Sequence, residues 1–440
     1  MTKEKLVVIG QHFYQPPRYA SHELLAGISS TADGINWTDR IAGECYLPQL
    51  ELGILDNTAF DMYGVLRSQL NLSQEQLAQL ELAMRERGVG DPFLHPILPD
   101  LSSRDRSVLI AAGRNEFYKD CGKWPDWFWP PETALDTPTL KDIKRMRYKG
   151  ILCAPEQIVR QDGYPADNTV VKVELGSGDF ILAFPFDRPV SQSLAFHEKE
   201  NADDFAREII MPRVNTLPQG SSLLAWTDGE TFGHHDRQAH LFLEYLLSTS
   251  LPGFNVHPVS LEMALEQLNL DNIPQARLVE RTAWSCPHGN LIRWNGECDC
   301  GEGKDTSWKH PFIQLLREVN SLIDDIIDRE LPDWDRTLSG DFKYYFGCEF
   351  ISSATPQDYL LMAKASSLAG LTSCATFFSD VYTSGRINIL FVLQACQSLI
   401  SAGLAKEGKA IQTDFYQSLA KIHDSGGKPF SSIIDEFNRQ

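Results

Sequence analysis

The sequence predicts an α/β fold: a parallel sheet closed by crossover helices, as a barrel or a doubly wound sheet, with a helical bundle packed on it. Three observations carry that expectation. Over roughly the first 270 residues, short apolar runs alternate with amphipathic segments, the βαβα rhythm of parallel strands joined by crossovers. The first such run ends in Gln11-His-Phe-Tyr-Gln-Pro-Pro17, with no Gly-rich phosphate loop, which removes the dinucleotide-binding version of the fold. Beyond about residue 305 the apolar residues recur at helical spacing only.

Taken in order, Leu6–Phe13 reads as a buried strand ending in polar residues, and Ala59–Tyr63 as a second strand. Ser73-Gln-Glu-Gln76 is a capping box for a helix that runs to Gly88. Another helix starts near Ser102 or Ser103 and ends at Gly122. Thr137-Pro138 opens the next, with proline at the first helical position and Gly150 as the expected terminator. Gly150–Cys153, Phe180–Phe184 and Ser222–Trp226 read as further strands, the last two separated by a helix that Asn201 caps. In the tail, Pro311–Val319, Tyr359–Ala365 and Ile387–Ala395 read as helices. The expected division is a catalytic barrel over 1–305, including a Cys-rich loop at 284–303, and a helical domain over 306–440.

Composition narrows the function classes. With 40 basic and 59 acidic side chains the formal charge is −19, which argues against nucleic acid and anionic membrane surfaces as partners. No window approaches the roughly 18 apolar residues of a membrane span. The N-terminus shows no secretory h-region, and nine Cys, mostly scattered singly, do not form a disulfide framework. A cytoplasmic chain is the expectation.

In a barrel the chemistry sits at the C-terminal ends of strands. Those ends hold His12 and Gln15, then His95, then Trp129 to Glu132, then Asp228 to His235. Trp127-Phe-Trp-Pro-Pro-Glu132 presents a carboxylate behind a stiff, proline-rich approach, since Pro131 fixes φ and removes a donor. Ala225-Trp-Thr-Asp228-Gly-Glu230-Thr-Phe-Gly-His-His235 presents a second, with Gly229 expected to permit a turn that a larger residue would resist. Two carboxylates on facing strand ends, bracketed by Trp129 and Trp226, suit glycosidic bond cleavage, which needs a nucleophile, a proton donor and aromatic faces. The competing readings are a capping role for Glu132, a helix N-cap for Asp228, a helix-dipole partner for Glu230 and a satisfied core histidine for His12. His95, His234 and His235 are candidate site-lining residues, with Trp284 and Trp294 reaching in from the Cys-rich loop.

On these motifs the sequence resembles glycoside hydrolase family 57, an α-glucan-active group built on an incomplete (β/α)7 barrel. His12-Phe-Tyr14-Gln15-Pro16 stands where the family has His-x-His-Gln-Pro, so Tyr14 replaces the second His. Trp129-Pro-Pro-Glu132 matches the nucleophile motif, and Asp228-Gly-Glu230-Thr-Phe-Gly233 matches the acid/base motif Asp-Gly-Glu-x-x-Gly without a break. Phe93-Leu-His95-Pro-Ile-Leu-Pro occupies the place of the family's Gly-Gln-x-Glu, a combination that resembles a largely prokaryotic branch sharing the Cys-rich segment. The resemblance implies a retaining glycoside hydrolase or glucanosyltransferase acting on oligo- or polysaccharides. It implies Glu132 as nucleophile, Asp228 as general acid/base, their carboxyls about 5–6 Å apart, and no cofactor for catalysis.

The Cys-rich segment gathers Cys286, His288, Cys298 and Cys300, a Cys-x-His and a Cys-x-Cys pair separated by nine residues. Such pairs can wrap one tetrahedral structural zinc, although zinc pairs usually enclose two or more residues. The competing readings are a metal-free lid over the active site and a Cys298/Cys300 redox pair. Two other functions compete with the hydrolase. One is a metal-dependent carbohydrate deacetylase, which needs an Asp and two His around its metal and finds only the adjacent His234-His235. The other is a non-catalytic glycan-binding protein that keeps the barrel. The sequence leaves the oligomeric state open.

Overall fold

The computed structural model describes residues 5–17, 35–62, 64–197, 199–218, 221–286, 288–300, 303–347, 354–383 and 385–438. Tyr63, expected to end the second strand, and Gly301 of the Cys-rich segment lie outside them. No helix among the described residues is long and apolar enough to cross a membrane.

Among the described residues ten strands occur in chain order: β1 (Lys5–His12), β2 (Ala59–Asp61), β3 (Trp127–Phe128), β4 (Gly150–Cys153), β5 (Ile158–Arg160), β6 (Val171–Gly176), β7 (Asp179–Pro185), β8 (Ser222–Asp228), β9 (Val256–Pro258) and β10 (Gln275–Leu278). β1 pairs in parallel with β2 on one side and β8 on the other, and β3, β4 and β7 form a second parallel run. Residues 88–90 join the two runs. Val89 N–H donates to Phe60 O at 2.8 Å, Gly90 N–H to Trp127 O at 2.9 Å, and Trp129 N–H to Gly90 O at 2.8 Å. The staves therefore run β1, β2, residues 88–90, β3, β4, β7, β8, which is a (β/α)7-type barrel.

The barrel closes irregularly between β7 and β8. β6 folds back antiparallel on β7 through the positive-φ pair Ser177-Gly178 and takes the edge that a ladder to β8 would need. One backbone bond, Asp187 N–H to Leu224 O at 2.7 Å, crosses the seam. Side chains satisfy what the missing ladder leaves: Asn168 Oδ1 accepts from Leu224 N–H at 2.9 Å and Ser191 Oγ from Trp226 N–H at 3.0 Å. Buried donors without such partners would cost about 1–3 kcal/mol each.

The helix signals divide cleanly. Ser73 and Gln76 form the capping box of the helix Gln74–Arg87, which Gly88 ends. Ser102 caps the helix Ser103–Cys121, closed by Gly122 in the left-handed conformation. Thr137–Arg145 begins where expected but ends at Met146. Gly150 is instead the first residue of β4, where a Cβ would lie 2.5 Å from the Trp127 ring, so close packing explains it and helix termination does not. Asn201 caps the helix Ala202–Phe205, and an additional helix, Arg188–Phe196, precedes it on the Asp187 cap. The tail helices Lys309–Glu330, Pro356–Ala369 and Arg386–Ser401 enclose all three predicted helical runs.

Inside the barrel, Trp127, Trp129, Phe184, Phe186 and Trp226 fill the layers below its upper rim. The tail shares a hydrophobic cluster with Val65, Phe93, Leu94 and Leu109 of the barrel. A buried ionic knot pins the same contact: Lys364, with no exposed side-chain surface, reaches Asp105 at 2.7 Å, pairs with Asp324 and donates to Asn320 Oδ1 at 3.0 Å.

Candidate active site

Parallel register brings the chemistry together. Asp61, His12 and Asp228 are Cα partners across β2, β1 and β8, so three strand ends deliver one row of ionisable side chains to the C-terminal rim. Glu132 arrives from beyond β3 in a conformation that L residues rarely adopt, with φ +58° and ψ +14°. Thr133 follows at φ +46°. Such backbone costs about 1–3 kcal/mol per residue and persists only where surroundings impose it. Here the stiff Pro130-Pro131 approach and a bond from Trp284 N–H to Glu132 O at 3.1 Å do so. Gly229 is required by space and not by its turn: a Cβ there would lie 2.1 Å from the Phe13 ring.

These side chains open into a cavity of about 580 Å³ between the barrel rim and the tail. Ser285 donates a short hydrogen bond to Glu132 Oε2. Burial pushes the Glu132 carboxyl up, and the Ser285 bond and the nearby His12 charge pull against it. Asp228 faces the cavity with part of its surface open to it, and the surrounding protein raises its carboxyl as well, against the charges of His12 and His235. Glu230 is buried and accepts from Tyr46 Oη at 2.5 Å, Tyr14 N–H at 3.3 Å and Gln15 Nε2 at 3.4 Å. Burial, opposed by the Tyr46 bond and reinforced by the Asp228 charge, pushes Glu230 up to about 7.

One cation stands among these acids. His12 Nδ1 lies 2.6 Å from Asp61 Oδ2. Burial disfavours its charge, yet Asp61 outweighs burial and carries His12 up to about 9, so it is an imidazolium at neutral pH. His95 behaves oppositely. Its ring stacks on Tyr14 at 4.0 Å and lies 5.2 Å from His12, and burial with the His12 charge holds it neutral, well below 6.5. His95 Nδ1 is 2.9 Å from Ser373 Oγ of the tail.

The structure gathers Glu132, Asp228, Glu230, His12, Tyr14, Gln15, His95, His234, His235 and Trp284 around this one cavity. His234 Nδ1 is held by Glu44 at 2.6 Å, and His235 is exposed at the rim. Three predicted sugar-facing rings are not in it. Trp129 and Trp226 are 0% exposed and stack on each other at 5.0 Å inside the barrel, so they support the site from below and offer no face to a ligand. Trp294 is buried against Ala134, Ala283 and Cys286. The apolar wall is supplied instead by Trp37, Trp284 and the tail residues Phe377, Phe378 and Tyr382. Sequence reading had no signal for Asp61, Tyr46, Ser285 or Ser373, whose partners lie 49 to 278 residues away. Phe377 and Phe378, adjacent in the tail, both line the cavity.

The Cys-rich loop passes directly over Glu132. Arg293 Nη1 donates to Ser285 O at 3.1 Å and Arg293 Nε to Phe377 O at 3.1 Å, tying the loop beside Glu132 to the tail. Its sulfur and imidazole groups form close pairs, with Cys286 Sγ to His288 Nδ1 at 3.7 Å, Cys298 Sγ to His288 Nδ1 at 3.3 Å, and Cys298 Sγ to Cys300 Sγ at 3.7 Å. Among the described residues no group of three or more His, Cys, Asp or Glu side chains is placed so that it could hold a metal ion.

Known structures share the architecture. A maltose-forming exo-type amylase from a Pyrococcus species superposes with a TM-score of 0.73 at 15% identity, covering 98% of this chain and 88% of that one. A family 57 branching enzyme from Thermococcus kodakaraensis gives 0.63 at 14% identity, over 99% and 94%. The α-amylase AmyC from Thermotoga maritima gives 0.60 at 12%, over 98% and 99%. At these identities the likeness is one of fold. No curated protein matches the sequence. The family profile described as glycosyl hydrolase family 57 matches residues 43–276, more than half of the 440 residues. This chain belongs to glycosyl hydrolase family 57.

Proposed function

We propose that this protein is a retaining glycoside hydrolase or glucanosyltransferase acting on α-linked glucans, with Glu132 as nucleophile and Asp228 as general acid/base. The observation that carries the reading is the asymmetry of the two carboxyls. Glu132 is fixed in a left-handed backbone and its charged form accepts the Ser285 bond. Among the described residues no side-chain donor bonds Asp228, and burial favours its protonated form. Burial raises both carboxyls, and the Ser285 bond, which favours the charged form of Glu132 alone, sets the nucleophile apart from the acid. Family membership and the α-glucan-active enzymes that share the fold support the substrate class.

In this reading a glucosyl unit lies between the Trp284 side and the tail wall. Glu132 attacks the anomeric carbon as Asp228 protonates the departing glycosidic oxygen, and Asp228 then deprotonates water or an acceptor hydroxyl that releases the sugar from Glu132. His12 and its Asp61 partner offset part of the negative charge on the acids and travel through no bond-making step.

The test uses amylose, glycogen, pullulan and maltooligosaccharides with products resolved by size and anomeric configuration. Shorter products mean hydrolysis and longer ones transfer, and in both the product keeps the α configuration. Glu132→Gln and Asp228→Asn each lose at least about a thousandfold in kcat/KM with unchanged fold. Inverted product, or either variant active near the parent rate, overturns the assignment.

A further inference from the structure

We propose that Cys286, His288, Cys298 and Cys300 form a structural zinc site that clamps the loop over Glu132. The inference stands on donor spacing. Zinc binds thiolate at ≈2.3 Å and imidazole nitrogen at ≈2.0–2.1 Å, so the edges of a tetrahedral shell are about 3.8 Å between sulfurs and about 3.5 Å between sulfur and nitrogen. The three close pairs, at 3.7, 3.3 and 3.7 Å, match those edges. They also share members: His288 belongs to two and Cys298 to two, so all four donors form one connected chain, and a bound zinc would close the remaining edges of the shell. Three soft thiolates and one imidazole select zinc over hard cations.

Local geometry answers the objection that one-residue spacing is too short. In the Cys-x-His pair the nitrogen nearest the thiols is Nδ1, the ring atom closer to the backbone, which is the donor that a short connection can deliver. In the Cys-x-Cys pair, Cys300 adopts φ +52°, and its N–H points at Cys298 Sγ over 3.1 Å, a bond that stabilises a thiolate. Gly289 and Gly296, at φ +65° and +79°, make the two reversals that return the chain to the cluster. Apolar packing of Leu291 and Trp294 anchors one side of the loop, while Cys298 and Cys300 are only half-buried.

The site is structural because its donors fill all four positions. Its consequence is positional: Cys286 adjoins Ser285, whose hydroxyl bonds Glu132, and Arg293 inside the loop holds both Ser285 O and the tail at Phe377 O.

The full-length chain, purified without chelator, is analysed for metal and expected to carry one zinc per chain. Cys298→Ser and Cys300→Ser lose it, while Cys396→Ser, a buried thiol outside the loop, retains it. Cobalt substitution gives the intense visible bands and thiolate charge-transfer absorption of a tetrahedral sulfur-rich site. Because a ligand variant can misfold, the parent protein is also titrated with an organomercurial beside a chromophoric zinc indicator. Zinc release in step with modification of three thiols supports the site. Removing the zinc exposes residues 284–303 to limited proteolysis, a readout independent of glucan activity. A folded, metal-free protein that gains no stability from added zinc overturns the proposal, and so does a Cys298–Cys300 disulfide in the native chain.

Discussion

The pairing of His12 with Asp61 makes a prediction about pH that can be worked through. Asp61→Asn removes the carboxylate 2.6 Å from the imidazole and leaves burial, which disfavours charge, as the dominant influence. His12 then falls from about 9, with only Asp228 and Glu230 still favouring its charge. The rise from 6.5 to about 9 is equivalent to about 3 kcal/mol of preference for the charged form in the folded protein. Because the folded value lies above the unfolded one, that stability is fully present below pH 6.5 and disappears as pH rises through about 9. Urea unfolding of parent and variant from pH 6 to 10 reads the difference directly. The parent's advantage should be greatest near pH 6 and shrink by up to about 3 kcal/mol by pH 10. Glu230 also titrates near 7, but it is present in both proteins and largely cancels in the comparison. Ring chemical shifts of His12 supply the second measurement. A stability difference that is flat across this range, or a parent His12 titrating near 6.5, would refute the reasoning.

Other substitutions test other contacts. Ser285→Ala removes the bond that favours ionised Glu132, so the Glu132 carboxyl rises further and the acidic limb of kcat/KM moves to higher pH; an unmoved limb counts against the bond. Gly229→Ala places a methyl into the Phe13 ring and should cost about 1–3 kcal/mol of stability by thermal or urea unfolding. Part of that loss should return in a Phe13→Leu background. Lys364→Met leaves Asp105 and Asp324 as uncompensated charge between barrel and tail, a loss of about 3–5 kcal/mol. Much of it should return when Asp105 is also replaced by Asn.

What was legible in the sequence follows from the range of each interaction. Caps act over three or four residues, so Ser73, Ser102, Asn201 and the left-handed Gly122 could be read directly. Continuous apolar runs exposed β1, β4, β7 and β8 for the same reason. β6 alternates buried and exposed residues through Val171–Gly176, a period-2 signal that the search for continuous apolar runs passes over, and β10 is only four residues long. Gly150 shows how one residue type admits two causes: a helix terminator and a site of close ring approach look alike until Trp127 is placed. The same holds for the tryptophans. Proximity to Glu132 and Asp228 in sequence suggested sugar platforms, but strand alternation turns Trp129 and Trp226 into the barrel while the carboxyls emerge at its rim. Aromatic side chains do line the cavity; they come from Trp37, Trp284 and a tail whose contribution no local pattern encodes.

The division between barrel and tail explains why the site needs both. Strand ends deliver charges with fixed spacing, but a barrel rim open to water would leave Asp228 and Glu132 near ordinary carboxyl behaviour. The tail roofs the rim through Phe377, Phe378 and Tyr382, and it is joined there by Ser373 N–H to His95 O at 2.7 Å and by the buried Lys364 knot. Burial is the largest influence raising Glu132, Asp228 and Glu230 alike, and residues beyond 370 line the cavity into which these acids face. The barrel thus decides where the acids stand, and the tail decides how readily they hold protons. Within one rigid scaffold, changes in the roof can retune the chemistry of Glu132 and Asp228 without moving either side chain.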